Sequence, residues 1–228
     1  IAYRGVSLGA EGTDMNSAII NIQPDGSVLL ETGVHENGQG AQSAMILIAA
    51  KELGIPKELI RYRLPSTSNI PDGGSTVASR GTIMGGGAVV NAAKIIKQRL
   101  CEGAEKALGI SGCSYKNGNI YSAQGEIVAD FFAAVRWCYD HQIYPYAFGV
   151  FNAPQISWDE ETGHGNAYFS WVYSCQAAEL KVNCKTGKIT LLNLVAAHDI
   201  GKAINPALLT GQIYGGMAMG AGYALYEN

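Results

Sequence analysis

The sequence predicts an α+β fold of two linked α/β lobes, with long antiparallel strands and packed helices. Three observations predict it. Strand–turn–strand patterns stand near both ends of the chain, at residues 18–32 and 168–197. Helical segments at 41–53, 82–108 and 207–226 alternate with them. The 228 residues are 47% apolar and 15% charged, which supplies a sizeable core and argues against disorder. The lobes are placed at about 1–110 with 168–228, and at an intervening 111–167.

Each element has a local reason. Residues 18–23 and 27–32 are apolar-rich runs flanking the turn Pro24-Asp25-Gly26. Residues 41–53 carry Met45, Ile48 and Ala49 on one helical face, and Gly54 with Pro56 ends the helix. Residues 59–64 alternate, placing Ile60, Tyr62 and Leu64 on one side of a short strand. A polar loop follows over 65–75. A long helix then runs from Thr82 towards Leu108, with Gly85-Gly86-Gly87 weakening its start. Asn117-Gly118 marks a hairpin between Tyr115 and Ile120-Tyr121. Residues 129–140 read as a helix, with Trp137 and the pair Phe131-Phe132 as core, and 145–165 as loop-rich. Residues 168–184 form a long strand, which Lys185-Thr186-Gly187 turns into a second at 188–197. The apolar, glycine-rich stretch 207–226 closes the chain as a close-packed helix, with Tyr214 and Tyr223 as packing residues.

Composition narrows the function. A formal net charge of −3 and no Lys/Arg cluster argue against nucleic acid as a partner. No signal peptide and no membrane-length apolar run are visible, so the expected location is cytoplasmic, with no membrane contact. Five cysteines, none in a C-x-x-C pair, read as thiols in a reducing compartment and not as a metal or cluster site. The chain opens on Ile1 and stops at Asn228 just after an apolar segment, the pattern of a piece of a longer polypeptide or assembly.

Two segments carry the chemistry. Glu36-Asn37-Gly38-Gln39-Gly40 sets a glutamine between glycines at a helix entry. Thr76-Val77-Ala78-Ser79-Arg80-Gly81-Thr82 is a small, polar turn at another. Two helix N-termini with bare amides would suit a large anionic ligand. Each segment alone also reads as an ordinary helix entry, the second with Ser79 or Thr82 as N-cap. Neither is a dinucleotide fingerprint or a Walker loop, because the third glycine and the lysine are missing. His198, with no second ligand at metal spacing, reads as a structural imidazole bonded to backbone.

Taken together, Gly33-Val34-His35-Glu36-Asn37-Gly38-Gln39-Gly40, Leu53-Gly54-Ile55-Pro56, residues 76–82, His198-Asp199-Ile200-Gly201, Ile204-Asn205-Pro206 and Gly211-Gln212-Ile213-Tyr214-Gly215 resemble the molybdenum hydroxylases, the family of xanthine dehydrogenase, aldehyde oxidoreductase and nicotinate dehydrogenase. The resemblance covers almost the whole chain. It implies the fold of that family's molybdenum-cofactor-binding region and a cofactor of molybdenum with molybdopterin, in its cytosine dinucleotide form. It implies contacts to that cofactor from Asn37, Gly38, Gln39, Gly40, Thr76, Ala78, Ser79, Arg80, Gly81, Thr82 and Gln212. Met219 stands where many relatives carry a second glutamine.

The implied reaction inserts oxygen from water into a C–H bond of an N-heterocycle or aldehyde. The family's catalytic glutamate would lie beyond residue 228, so no catalytic residue is assigned. The implied partners are a subunit carrying the first half of the molybdenum-binding region, a [2Fe-2S] subunit, an FAD subunit and a small-molecule substrate. The rival expectation is a non-catalytic cofactor-handling or assembly module of the same fold.

Overall fold

The structure, a computed structural model, describes residues 2–3, 14–154, 156–159 and 161–227. Ile1 and Asn228, read above as cut ends, lie outside the described residues. Contacts divide the chain into two units, Gly5–Phe169 and a second made of Ile1–Arg4 with Ser170–Asn228. The segment 111–167 therefore groups with what precedes it, and 170–228 forms its own unit, a division unlike the lobes expected from sequence.

In order, the chain runs β1 (Ala2–Tyr3), β2 (Met15–Ile22), β3 (Val28–Thr32), α1 (Ala41–Leu53), β4 (Ile60–Tyr62) and α2 (Gly86–Leu108). It continues through β5 (Ser114–Lys116), β6 (Asn119–Tyr121), β7 (Ile127–Asp130), α3 (Phe131–Asp140) and β8 (Tyr146–Asn152). The remainder is β9 (Ser157–Asp159), β10 (His164–Asn166), β11 (Trp171–Val182), β12 (Ile189–Asp199) and α4 (Pro206–Tyr226).

The larger unit is built on a sheet of order β4-β3-β2-β8. Strand alternation puts Ala18, Ile20 and Ile22 of β2 on one face, paired in register with Thr32, Leu30 and Val28 of β3. All six are fully buried. Helix α1 returns the chain so that β4 lies parallel to β3, and it buries Met45, Ala49 and Leu53 against that face. It ends at Gly54, whose left-handed φ of 63° lets its N–H reach Ala50 O. Helix α2 crosses the same core with Ala92, Ile96 and Leu100, each fully buried. Ile120, Phe131, Val135 and Cys138 of the β5-β6-β7 and α3 layer join this core, which is why 111–167 does not stand apart.

Four local expectations are corrected. A π turn over Gly81–Gly85 leads into α2, so the helical backbone runs unbroken through the glycine triplet. It lets the backbone come close: a Cβ on Gly85 would sit 2.3 Å from Val34 Cγ2, and one on Gly87 2.5 Å from the Phe151 ring. Ala129 and Asp130 belong to β7, because the Asp130 side chain accepts the Ala133 N–H at 2.8 Å and starts α3 one residue later. Residues 145–165 hold three strands, not loop alone. In β8, Gly149 disguises the alternation, and it is glycine because a Cβ there would meet Ala92 N at 2.3 Å. Of the aromatic pair expected in the core, Phe131 is buried while Phe132 is 46% exposed, its ring lying against Gly26.

The smaller unit is the hairpin β11–β12, with β1 on its outer edge, together with α4. A register shift at Glu179/Leu180 interrupts the ladder. Asn205 caps α4 by accepting the Leu208 N–H at 3.2 Å, with Pro206 at the first helical position. The helix is apolar along its length, yet none of its side chains is buried. Tyr214 is 67% and Tyr223 71% exposed, so the expectation of a close-packed helix fails within this chain. His198 Nε2 lies 3.5 Å from the side-chain nitrogen of Gln176 across the hairpin, where a backbone partner was expected.

The Gly85 contact is testable. Gly85→Ala drives a methyl into Val34 and should cost about 1–3 kcal/mol of stability, the usual range for overpacking. Val34→Ala made in the same protein should recover part of that loss, which denaturant titration of the four members of the cycle would measure. Equal losses with and without Val34→Ala would locate the defect elsewhere.

Candidate functional site

The loop after β3 is organised by its own side chains. Thr32 and Tyr62 hydroxyls lie 2.7 Å apart, and Tyr62 donates to Val34 O at 3.1 Å. Burial pushes the Tyr62 phenol above its ordinary pKa. The Glu36 carboxylate then closes the N-terminal end of α1. Its Oε1 accepts the N–H groups of Gly38 and Gly40, both at 2.9 Å, and its Oε2 accepts that of Gln42 at 3.0 Å. These bonds, Gln42 first and Gly40 second, hold the carboxyl below the usual glutamate range. The first helix entry is therefore not bare: an internal anion occupies it.

Gln39 is exposed, and its amide spans the same loop. Its Oε1 accepts the Asn37 N–H, and its Nε2 donates to His35 O at 3.0 Å. Asn37 is also exposed, and its side-chain amide has no hydrogen-bond partner among the described residues. The second segment docks on the first. Thr76 Oγ1 accepts the His35 N–H at 3.0 Å, joining the two motifs across 41 residues. Gly33 and Gly73 approach so closely that a Cβ on Gly33 would lie 3.1 Å from Gly73 Cα.

Arg80 sets the position of that second segment from inside. It is 5% exposed. Its Nε donates to both Asp14 carboxylate oxygens at 3.0 Å, and its Nη2 donates to Gly73 O at 2.8 Å. Nη1 donates to Ser75 O. The guanidinium is thus engaged inside the protein, where the resemblance implied a contact to the cofactor. Ala78, two residues before it, is exposed and has φ +46°, a left-handed conformation that costs an alanine on the order of 1 kcal/mol. No side chain caps the helix start there, contrary to the Ser79 or Thr82 N-cap reading. The hydroxyls of Ser79 and Thr82 have no hydrogen-bond partner among the described residues. Gly81 lies in the π turn against Val34, a Cβ there falling 3.3 Å from Val34 Cγ1.

The structure therefore unites residues 37–40 with 76–82 on one surface of the larger unit. Gln212 lies on α4 in the smaller unit, with its side chain exposed, and Met219 on the same helix is 74% exposed. Sequence reasoning missed Glu36 as the organiser of the first loop and Asp14 as the counterion of the second. A glutamate four residues before the α1 N-cap Gly40 was the available signal for Glu36; Asp14, 66 residues from Arg80, gave none.

Beside the Glu36 carboxylate the surface offers uncharged polar groups: exposed amides at Asn37 and Gln39, and hydroxyls at Ser79 and Thr82 with no partner among the described residues. Among the described residues, no three His, Cys, Asp or Glu side chains are placed to hold a metal ion. Such a donor set fits the edge of a heterocyclic cofactor that brings its own metal ligands. All five cysteines are free, and burial raises Cys101 and Cys138 to about 11, which leaves them protonated and inert at neutral pH.

Comparison with known proteins defines the class. The family model of the molybdopterin cofactor-binding domain matches residues 1–228, and the chain belongs to that family. Aldehyde oxidase 4 of Mus musculus is 31% identical over 211 residues, covering 92% of this chain and 14% of that protein. Xanthine dehydrogenase/oxidase of Gallus gallus is 28% identical over 223 residues, covering 98% of this chain and 15% of its own length. The aldehyde oxidoreductase of Desulfovibrio gigas superposes with a TM-score of 0.77 at 24% identity, covering 100% of this chain and 23% of that one. The fold is that of the molybdenum-cofactor-binding region of these oxidoreductases, and the chain spans about a seventh of the curated relatives it matches.

Two outcomes are expected. Arg80→Ala leaves the Asp14 carboxylate buried without its guanidinium and should cost about 3–5 kcal/mol, read by denaturant titration. Glu36, with its folded pKa depressed, contributes loop order that is complete above the unfolded glutamate pKa and is lost as pH falls through the lower folded value. Amide exchange at Gly38, Gly40 and Gln42, corrected for intrinsic rates, should stay flat from neutrality down to about pH 5 and rise only on further acidification. Opening that begins near neutrality would rule Glu36 out as the group responsible.

Proposed function

We propose that this chain forms part of the cofactor-binding region of a molybdenum hydroxylase that oxidises an N-heterocycle or an aldehyde, taking its oxygen from water. The observation that carries the reading is the union of the two glycine-rich motifs, through Thr76 and His35, in a chain whose whole length matches the family. The relatives' names supply the substrate classes, xanthine and aldehyde. When bound, molybdopterin, here taken as the cytosine dinucleotide, supplies the metal and the redox chemistry.

The residues of this chain bind and orient that cofactor. Asn37 and Gln39 offer neutral amides to the pterin edge, with Gly38 and Gly40 allowing close backbone approach. Thr76 holds the two loops together. Ala78, exposed and left-handed, offers its backbone, and Ser79, Gly81 and Thr82 offer amides and hydroxyls. Arg80 acts through the loop it anchors, and Gln212 contributes an amide from α4. The catalytic base belongs to another portion of the protein.

The proposed partners are the rest of the molybdenum-binding region, a [2Fe-2S] subunit and an FAD subunit. An apolar groove of about 340 Å³ between β11, β12 and α4, lined by Leu180, Leu191, Val195, Met217 and Leu225, supports the first of these. No helix among the described residues is long and apolar enough to cross a membrane. The proposed location is cytoplasmic.

Metal analysis of the assembled protein tests the reading. Molybdenum should be present at close to one per chain. Gln39→Ala should lower the bound metal about three- to tenfold, the effect of one lost amide hydrogen bond at a cofactor. A screen of heterocycles and aldehydes with a dye acceptor then identifies the substrate class. A pure assembly lacking molybdenum and pterin would overturn the proposal.

A further inference from the structure

Glu36 has no assigned role, and its geometry gives it one. A helix N-terminus facing a cofactor is ordinarily where phosphate binds, because its amides are unpaired and its dipole favours negative charge. At α1 that position is taken. One carboxylate accepts the N–H groups of Gly38, Gly40 and Gln42 at 2.9–3.0 Å, and so already sets a negative charge on the end where a phosphate would bind. A second anion there would face the first at close range, with no lysine or arginine side chain in the loop to offset the repulsion.

We propose that Glu36 is the positioning residue of this cofactor loop: it excludes phosphate from the α1 N-terminus and fixes the loop so that the neutral amides of Asn37 and Gln39 face the uncharged pterin. This rests on the cofactor reading above and assigns the first loop to the ring system of the cofactor. The coupling is direct. Gln39 sits between Gly38 and Gly40, both held by Glu36 Oε1, and its own amide bonds only within the loop, to Asn37 N–H and His35 O. Freeing Gly38 and Gly40 therefore releases Gln39 on both sides. In Glu36→Gln an amide nitrogen replaces one oxygen, and a donor then meets the N–H of either Gln42 or the glycines. In Glu36→Ala all three bonds are lost.

The test uses the complete assembled protein and compares Glu36→Gln and Glu36→Ala with the parent. Three readouts are taken: amide exchange at residues 38, 40 and 42, molybdenum per chain, and the paramagnetic resonance of Mo(V) in the fraction still loaded. Exchange at those amides should speed up about tenfold in Glu36→Ala, as expected for a lost charge-assisted bond, while β2 and α2 stay protected. Molybdenum per chain should fall about as far as in Gln39→Ala, and the Mo(V) spectrum of the remainder should shift, which a purely structural residue would not cause. Unchanged molybdenum with an unchanged spectrum would overturn the positioning role. Higher molybdenum in Glu36→Ala would show that the α1 N-terminus accepts the cofactor's phosphate once Glu36 is gone, and would overturn the assignment to the ring. Global loss of protection in Glu36→Ala leaves Glu36→Gln, which keeps side-chain size and part of the cap, to decide. A parent protein without molybdenum would sink the cofactor reading itself, a result distinct from all of these.

Discussion

The buried guanidinium of Arg80 is the constraint on which the functional surface depends. One side chain gathers the carboxylate of Asp14, ahead of β2, and the carbonyls of Gly73 and Ser75 in the long loop. That loop has no secondary structure of its own over residues 71–77, so its backbone polar groups need partners from elsewhere. Arg80 supplies them from the first residue of the helical turn that follows. A lysine would bring one point charge in place of a planar fork and would leave some of these acceptors unmet.

The two helix entries answer the same physical problem in opposite ways. Each begins with N–H groups that the helix cannot satisfy. At α1 the chain provides its own acceptor, Glu36, which meets three of the loop's N–H groups from within. At the second entry no side chain among the described residues does so: the turn carries a strained alanine and two hydroxyls without partners among those residues. A loop bonded from within offers a fixed shape, and one that is not offers bonding capacity. Thr76 makes the two cooperate, because its hydroxyl joins the first loop to the second.

Much of this was legible in the sequence, and the rest was hidden for definite reasons. Helix α1 ended where Gly54 and Pro56 said it would, since a left-handed C-terminal glycine is a local signal. The Asn117-Gly118 hairpin was equally local, with both residues at positive φ. Strand β8 was missed because Gly149 broke its pattern, and the reason for that glycine, the backbone of α2, lies 57 residues away in sequence. Gly85-Gly86-Gly87 read as weakness because helix propensity is a statement about isolated helices; the close approach to Val34 and Phe151 is a tertiary fact. The convergence of the two motifs came from resemblance. The inward turn of Arg80 did not, because an arginine beside a serine at a helix entry looks the same whether it grips a ligand or a buried aspartate.

The bare flank of α4 has a consequence for where the chain keeps its stability. Ordering some twenty residues carries an entropic cost of on the order of 1–2 kcal/mol each, which burial of apolar surface normally offsets. The β2–α2 core meets that cost within its own unit, whereas α4, with no interior, cannot. The larger unit, Gly5–Phe169, thereby carries most of the burial that holds the described chain in shape, and the smaller unit draws little of its own from α4.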